Sequence, residues 1–308
     1  MTSRPSPALA GLPLPEGEAL RDAPLAPWTS VRVGGNAEAL VRPASADSLM
    51  KVLAFARAEG LPVTILGGGA NTLVGDLGVK GITLKLNNDY FPEEIVDTQV
   101  TVNAGSAISR IVTLMTKNQL VGAEFLAGIP GTLGGATAMN AGTKNGECMT
   151  VVDAVELATA DGLGWVSGLT YRYRHTDLPK GAVVTRIRFN LRRGDLAESK
   201  AKMDADIGYR KRTQPLSQPN FGSVFTNPPG NFAGALIEQV NLKGHRIGNA
   251  QISTVHANWI VNLGGARAAD VTALMHEAQR RVLETTGVTL TPEVKWVGEF
   301  AADSAAGG

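Results

Sequence analysis

The placement of glycine constrains this chain more than any other feature. The sequence carries 36 glycines in 308 residues. Many of them stand in clusters beside apolar runs: Gly34-Gly35, Gly67-Gly68-Gly69, the stretch 128–135, Gly222 before Ser223, and Gly264-Gly265. A flexible linker would spread them evenly. Glycine in such places supplies positive φ or lets the main chain approach another group closely. Several separate clusters therefore predict a large ligand gripped mostly by backbone.

The rest of the composition excludes more than it selects. Hydrophobic residues make up 44% and charged residues 19%, which suits an ordinary core and excludes disorder of the bulk. Lys+Arg 29 against Asp+Glu 28 leaves a net charge of +1, so no global field favours nucleic acid or an acidic membrane as partner. A single cysteine, Cys148, excludes a disulfide framework and a cysteine-based zinc site. The four histidines (His175, His245, His256, His276) lack the spacing of metal ligands. No apolar run reaches the length of a membrane span. Residues 1–24 are rich in Pro and Ala, have no sustained period and lack the apolar core of a signal peptide. They are expected to form an irregular tail, and residues 301–308 a frayed one. The expected setting is the cytoplasm. The length allows two or three domains, at ~100–200 residues each.

Hydrophobic periodicity places the elements. Leu49, Val52, Leu53 and Ala56 have helical spacing between a capping Ser45 and Gly60. Ile108, Ile111, Val112 and Met115 predict a second helix over 106–119. Leu236, Ile237 and Val240 predict a short one ending near Gly244, and Val271 to Val282 a longer one ending at Gly287. Strands are predicted at 63–66 (buried), 82–86, 99–103, 152–157, 183–191, 288–290 and 294–297. The run Arg192-Arg193-Gly194-Asp195 marks a boundary. Mixed strands and helices give the class α+β or α/β.

Five segments carry chemistry. Gly67-Gly68-Gly69-Ala70-Asn71-Thr72-Leu73 follows a strand and suits an anion-binding nest of backbone N–H groups; an ordinary tight turn fits it equally. No Gly-Lys-Ser/Thr follows, so it is no P-loop. The apolar, almost uncharged run Gly128-Ile129-Pro130-Gly131-Thr132-Leu133-Gly134-Gly135, continuing to Met139-Asn140, suits a backbone wall against a flat aromatic ligand, or else a buried crossover. Gly222-Ser223 lacks the hydrolase elbow, and on its own Ser223 reads as a turn or cap residue. Glu293, beside Val294 and Trp296, suits proton transfer or a plain strand-end charge. In Tyr171-Arg172-Tyr173-Arg174-His175, strand alternation would put Arg172 and Arg174 on one face, where either can clamp a carboxylate.

In their order along the chain, these stretches resemble the UDP-N-acetylenolpyruvoylglucosamine reductases. The matching pieces are Thr29 to Gly35, Leu66 to Asn71, Glu124 to Gly142, Tyr173 to Thr176, Gln214-Pro215, Gly222 to Pro228, Leu242-Lys243-Gly244, His256-Ala257-Asn258 and Pro292-Glu293-Val294. They span about residues 25–298. The resemblance implies an α+β protein: an FAD-binding fold of the vanillyl-alcohol-oxidase/PCMH type, with two α+β subdomains (25–87 and 88–195), and a C-terminal α+β substrate-binding domain (196–300). It implies non-covalent FAD, NADPH as hydride donor, and the enolpyruvyl ether of UDP-N-acetylglucosamine as substrate. It also implies a monomer with no metal, serving peptidoglycan synthesis and through it cell-wall biogenesis, cell shape and division.

By the same resemblance, Arg174, Ser223 and Glu293 are the catalytic residues, with Ser223 as proton donor. Cofactor contacts fall on Val33, on 67–73, on Gly105, on Gly128, Ile129, Pro130, Gly131, Gly134 and Gly135, and on Met139. Substrate contacts fall on Asn140, Tyr173, Lys211, Arg212, Gln214, Gly222, Asn227, His256 and Asn258, and Arg210 can stand in for Lys211. Tyr209 is the only tyrosine between Leu191 and Ser223, which resembles the second type of the family, lacking a tyrosine loop. Thr226 stands where many relatives have lysine. Two alternatives remain: an FAD enzyme of the same fold oxidising an alcohol or hydroxy acid, and a non-catalytic UDP-sugar or flavin-binding protein. Cys148 as the only thiol, and no histidine in the glycine loops, weigh against the covalent flavin common in the former.

Overall fold

The structure, a computed structural model, describes residues 9, 11–13 and 17–301. The described chain divides into two compact units. The first comprises residues up to 21 with 39–68 and 81–209. The second comprises 22–38, 69–80 and the chain from 210 on. The boundaries expected at 87/88 and 195/196 are not where these units divide.

In the first unit, α1 (Ala46–Ala58) forms as its stripe predicts. The Ser45 side chain accepts from the Ser48 N–H, and Leu49, Val52, Leu53 and Ala56 are buried. They pack with Ala39, Val41, Ile82 and Leu84 of a sheet in the order Gly17–Pro24, Asn36–Pro43, Val79–Leu84, Val63–Ile65. The last pair is parallel, with Val63 opposite Ile82. The irregular tail expected over 1–24 is corrected here. Gly17–Pro24 is a strand, and its proline, lacking an N–H, falls at the terminal position. Leu9 and Leu12 are buried beside α1 in the same cluster. Residues 1–8, 10 and 14–16 of that expected tail, and 302–308 of the C-terminal one, lie outside the described residues.

A second apolar cluster of this unit lies on a five-stranded antiparallel sheet, ordered Gly162–Ser167, Val152–Thr159, Val183–Asn190, Gln99–Asn103, Glu94–Val96. Ile187 pairs with Val155 on one side and Val102 on the other. Helices α2 (Ile108–Lys117) and α3 (Leu133–Ala138) bring Ile108, Ile111, Met115, Leu133 and Ala136 into this core.

Helix α4 (Leu196–Thr213) has no counterpart in the sequence reading. It buries only Ser199 and Met203, so no apolar stripe announces it.

In the second unit, α5 (Ala233–Gln239) and α6 (Ala268–Thr286) enclose a core with Phe221, Val224, Phe225, Leu274 and Met275. Ala250–Ile252 pairs antiparallel with Arg246–Ile247 and with Ile260–Asn262. The Asp76 carboxylate accepts from the Ala268 and Ala269 N–H groups at 2.7 and 2.9 Å. It thereby satisfies orphan donors at the start of α6. Thr72–Val74 pairs in parallel with Lys295–Val297. The strand expected at 288–290 is absent: Leu290 is buried, but its carbonyl is taken by the Gln279 side chain rather than by a neighbouring strand.

Candidate active site

In the first unit the two glycine loops meet each other. A β-carbon on Gly67 would fall 2.6 Å from Thr132 Oγ1, and one on Gly68 would fall 2.6 Å from Gly131 Cα. Glycine at 68 is therefore required by a main-chain crossing that no side chain would allow. A cavity of about 160 Å³ opens beside this crossing, lined by Ile65, Gly67, Lys85, Gly105, Thr132, Gly134 and Gly135 among others. Ile65 is 48% exposed, so the strand read as buried instead offers an apolar wall to the cavity.

The donor set differs between the two loops. Among the described residues, the backbone N–H groups of Gly67 and Gly68 meet no protein acceptor. The N–H groups of Leu133 and Gly134 are already given to Ser106 and Ala104 carbonyls, at 2.9 and 2.8 Å. Of the two, only Gly67-Gly68 retains free main-chain donors of the kind an anion nest uses. Lys85 donates to the Gly67 carbonyl at 2.8 Å; burial first, and the Arg42 charge second, hold its pKa below the ordinary value. Sequence reading missed Lys85 because it reads as the polar partner in an alternating strand. Backbone donors, one cation and apolar walls suit a phosphate-bearing aromatic cofactor.

The rest of the expected cofactor set is mixed. Asn71 gives its carbonyl to the Lys295 N–H and its amide to the Glu293 carbonyl, while Thr72 and Leu73 are strand residues. Val33 and Leu73 are corrected: both lie in the second unit's core, at 1% and 0% exposure, and the Val33 main chain is tied to Thr29 Oγ1. Gly128 and Pro130 are exposed, while Ile129, Gly131 and Met139 are half-buried.

Arg174, half-buried, sits at a hairpin tip of the first unit. Tyr171-Arg172 pairs with His175-Thr176, and Arg174 turns the corner at φ 58°. The strand alternation expected to align Arg172 with Arg174 is thus broken by the turn. Arg172 and His175 both reach Asp177 Oδ1, at 2.9 and 2.7 Å. These bonds, Arg172's first, hold the Asp177 carboxyl below the usual range. The exposed Tyr173 ring lies 4.7 Å from the Arg174 guanidinium. Asn140 is corrected: it is fully buried, and its amide is spent on Glu147, Arg172 and Met149. A larger cavity of this unit, about 720 Å³, is lined by Phe125, Lys144, Lys202 and Tyr209 among others and holds none of the expected site residues.

In the second unit, Ser223 is pinned from both sides. Gly222 holds φ 82° and donates to Asn220 Oδ1 at 3.0 Å. Asn258 accepts from the Phe225 N–H at 3.0 Å and donates to its carbonyl at 2.8 Å, and the Asn258 carbonyl accepts from Val224. Asn258, 4% exposed, is therefore corrected from ligand contact to brace. The Glu293 N–H donates to the Val224 carbonyl at 2.8 Å, placing Glu293 and Ser223 on adjacent segments. Both side chains are half-buried.

Other expected substrate contacts of this unit are more exposed. Asn227 accepts from the Ala233 N–H at the start of α5. Lys211 and Arg212 are exposed on the last turn of α4, and Arg210 is half-buried. Gln214 Oε1 is buried with no partner among the described residues. His256 accepts from the Asn258 N–H at 3.2 Å; burial holds its pKa below the ordinary imidazole value. Among the described residues no helix is long and apolar enough to cross a membrane.

Comparison with known proteins covers nearly the whole chain. Residues 37–165 match the family model described as an FAD binding domain. Residues 214–297 match the C-terminal domain of UDP-N-acetylenolpyruvoylglucosamine reductase. A reductase of that name from Myxococcus xanthus is 62% identical over 300 residues, covering 95% of each chain. One from Anaeromyxobacter sp. is 56% identical, covering 94% of this chain and 92% of the other. The crystal structure of UDP-N-acetylenolpyruvylglucosamine reductase from Thermus caldophilus has a TM-score of 0.78 at 36% identity, covering 92% of this chain and 99% of that one.

Proposed function

The chain belongs to the UDP-N-acetylenolpyruvoylglucosamine reductase family, and on that premise we propose that it reduces the enolpyruvyl ether of UDP-N-acetylglucosamine to UDP-N-acetylmuramate. When bound, FAD would supply a hydride to C3 of the enolpyruvyl group, with NADPH as the reductant.

Every other task falls to the chain. The N–H groups of Gly67 and Gly68 hold the cofactor diphosphate, with Lys85 adding positive charge. Attachment is non-covalent: the only thiol, Cys148, is fully buried, and no histidine lines the glycine cavity. Hydride addition at C3 leaves negative charge on C2 and its carboxylate. Arg174 holds that carboxylate and neutralises it, a preorganised electrostatic effect. Glu293 adds a hydrogen bond to the same group when it carries a proton. Ser223 donates the proton that C2 takes up. A hydroxyl is a weak acid in water, but a carbanionic carbon is basic enough to draw its proton when the two are fixed in place. Lys211 and Arg212 meet the substrate diphosphate, while Tyr173, Gln214, Gly222, Asn227 and His256 complete the substrate contacts. The enzyme works as a cytoplasmic monomer, and its product feeds peptidoglycan synthesis.

The observation that carries this reading is the set of main-chain ties on the residues that follow Ser223: Asn258 bonds Val224 and Phe225, and the Glu293 N–H bonds the Val224 carbonyl. Anaerobic spectroscopy tests it. NADPH should bleach the oxidised flavin band, and the UDP-enolpyruvyl sugar should restore it. Ser223→Ala should spare the first step and slow the second by ~10²–10⁴-fold. Restoration at the wild-type rate in that variant removes Ser223 from the mechanism.

A further inference from the structure

Arg174 stands in a conformation that its own side chain disfavours. At φ 58° the β-carbon of an L-residue crowds the main chain, and glycine or asparagine is the usual occupant. Arg174 occupies the second position of a two-residue turn, Tyr173-Arg174, between the paired Arg172 and His175. Strained residues persist where their surroundings over-determine them.

The surroundings centre on one amide. Asn140 Nδ2 donates to the Arg172 carbonyl at 3.2 Å, on the stem of the turn. The same nitrogen donates to Glu147 Oε2 at 2.6 Å, and Oδ1 accepts from the Met149 N–H at 3.0 Å. The Met149 N–H can only face an oxygen, so the amide cannot be reversed, and its nitrogen must point at Arg172. Asn140 is 0% exposed and itself sits at φ 45°, where asparagine is tolerated. A second tie, from Thr176 Oγ1 to the Thr137 carbonyl at 2.6 Å, fixes the other strand of the hairpin. The charged groups around the stem are Glu147, Arg172, His175 and Asp177.

The geometry points to Asn140 as a positioning residue for Arg174. It touches no substrate; it holds the stem from which the guanidinium is presented to the substrate carboxylate. This rests on the role proposed above for Arg174.

Two variants of the holoenzyme test it by anaerobic stopped-flow. Asn140→Gly keeps a backbone suited to positive φ and removes the amide. Flavin content and reduction by NADPH should match wild type, while reoxidation by the UDP-enolpyruvyl sugar slows by about 10–100-fold, the order of effect expected of a misplaced orienting group. Asn140→Asp keeps the shape but sets an acceptor against the Arg172 carbonyl and a second carboxylate beside Glu147. Its reoxidation should be slow at neutral pH and recover as pH falls, because the protonated carboxyl becomes a donor again. Wild-type reoxidation in Asn140→Gly, or equal loss in both half-reactions, overturns the inference. If Asn140→Gly does not retain flavin, a pH-independent rate in Asn140→Asp overturns it instead. Arg174→Ala separates the two readings. If that variant reoxidises normally, the role of Arg174 fails and the inference with it. If it is slow while both Asn140 variants are normal, only the inference fails.

Discussion

The side-chain amide of Asn71 donates to the main-chain carbonyl of Glu293 at 3.1 Å, although 222 residues separate them in sequence. The Glu293 N–H in turn donates to Val224. Three remote segments of the second unit are thus joined through the main chain of one residue. The joint ends at Val224, the residue next to Ser223.

Asn258 makes three hydrogen bonds to the main chain of Val224 and Phe225. Asn258→Ala strips partners from both the N–H and the carbonyl of buried Phe225. The expected loss is about 2–4 kcal/mol of stability, since each buried group left unsatisfied costs ~1–3 kcal/mol. Urea unfolding measures it. A loss below ~1 kcal/mol would mean that water replaces the amide.

His256 should make stability depend on pH in a defined direction. Burial depresses its folded-state pKa below the unfolded value of about 6.5. The unfolded state then binds the proton more readily. The stabilising contribution is complete above about pH 6.5 and is lost as pH falls below it. Protonation also removes the acceptor that Nδ1 offers to Asn258. His256→Asn should show a shallower loss between pH 7 and pH 5.5 than wild type; identical slopes would contradict the assignment.

Cys148 is 0% exposed, and burial pushes its thiol up to about 12. Reaction needs the thiolate, so an aromatic disulfide reagent should leave the native protein unmodified. It should titrate a single thiol once the chain is unfolded. Rapid reaction of the native protein would show that the core around Cys148 opens.

Gly68→Ala forces a methyl group to within 2.6 Å of Gly131 Cα, where neither main chain can yield cheaply. Overpacking of this kind costs ~1–3 kcal/mol. The variant should bind FAD about 10–100-fold more weakly, at about 1.4 kcal/mol per tenfold. Flavin fluorescence titration of the apoprotein reads this, and unchanged affinity would separate the crossing from the cofactor.

What the sequence revealed depended on whether the signal was local. Helix α1 was legible to within a residue because a capping serine, an apolar stripe and a terminating glycine all lie inside one window. Helix α4 was invisible because it buries so little. The strand Gly17–Pro24 hid in a Pro- and Ala-rich stretch of sequence. Residue roles followed the same division. Ser223 and Glu293, which the family resemblance offers as catalytic residues, stand on segments joined by the Glu293 N–H to the Val224 carbonyl. Asn140 and Asn258, chosen from motifs, turn out to spend their amides inside the protein. Whether a motif asparagine faces a ligand or its own backbone is decided by residues far away in sequence, and no local pattern records it.

The second unit is assembled from pieces made at very different times. Its strand Thr72–Val74 pairs with Lys295–Val297, and Asp76 caps a helix that begins at Ala268. At ~5–20 residues per second of synthesis, the early pieces leave the ribosome about 10–40 s before their partners exist. Residues 22–38 and 69–80 must wait, with Val31, Val33 and Leu73 lacking the core they finally join. Completion of this unit is therefore tied to completion of the chain. A message cut short before codon 293 leaves the Val224 carbonyl, next to Ser223, without the Glu293 N–H that bonds it.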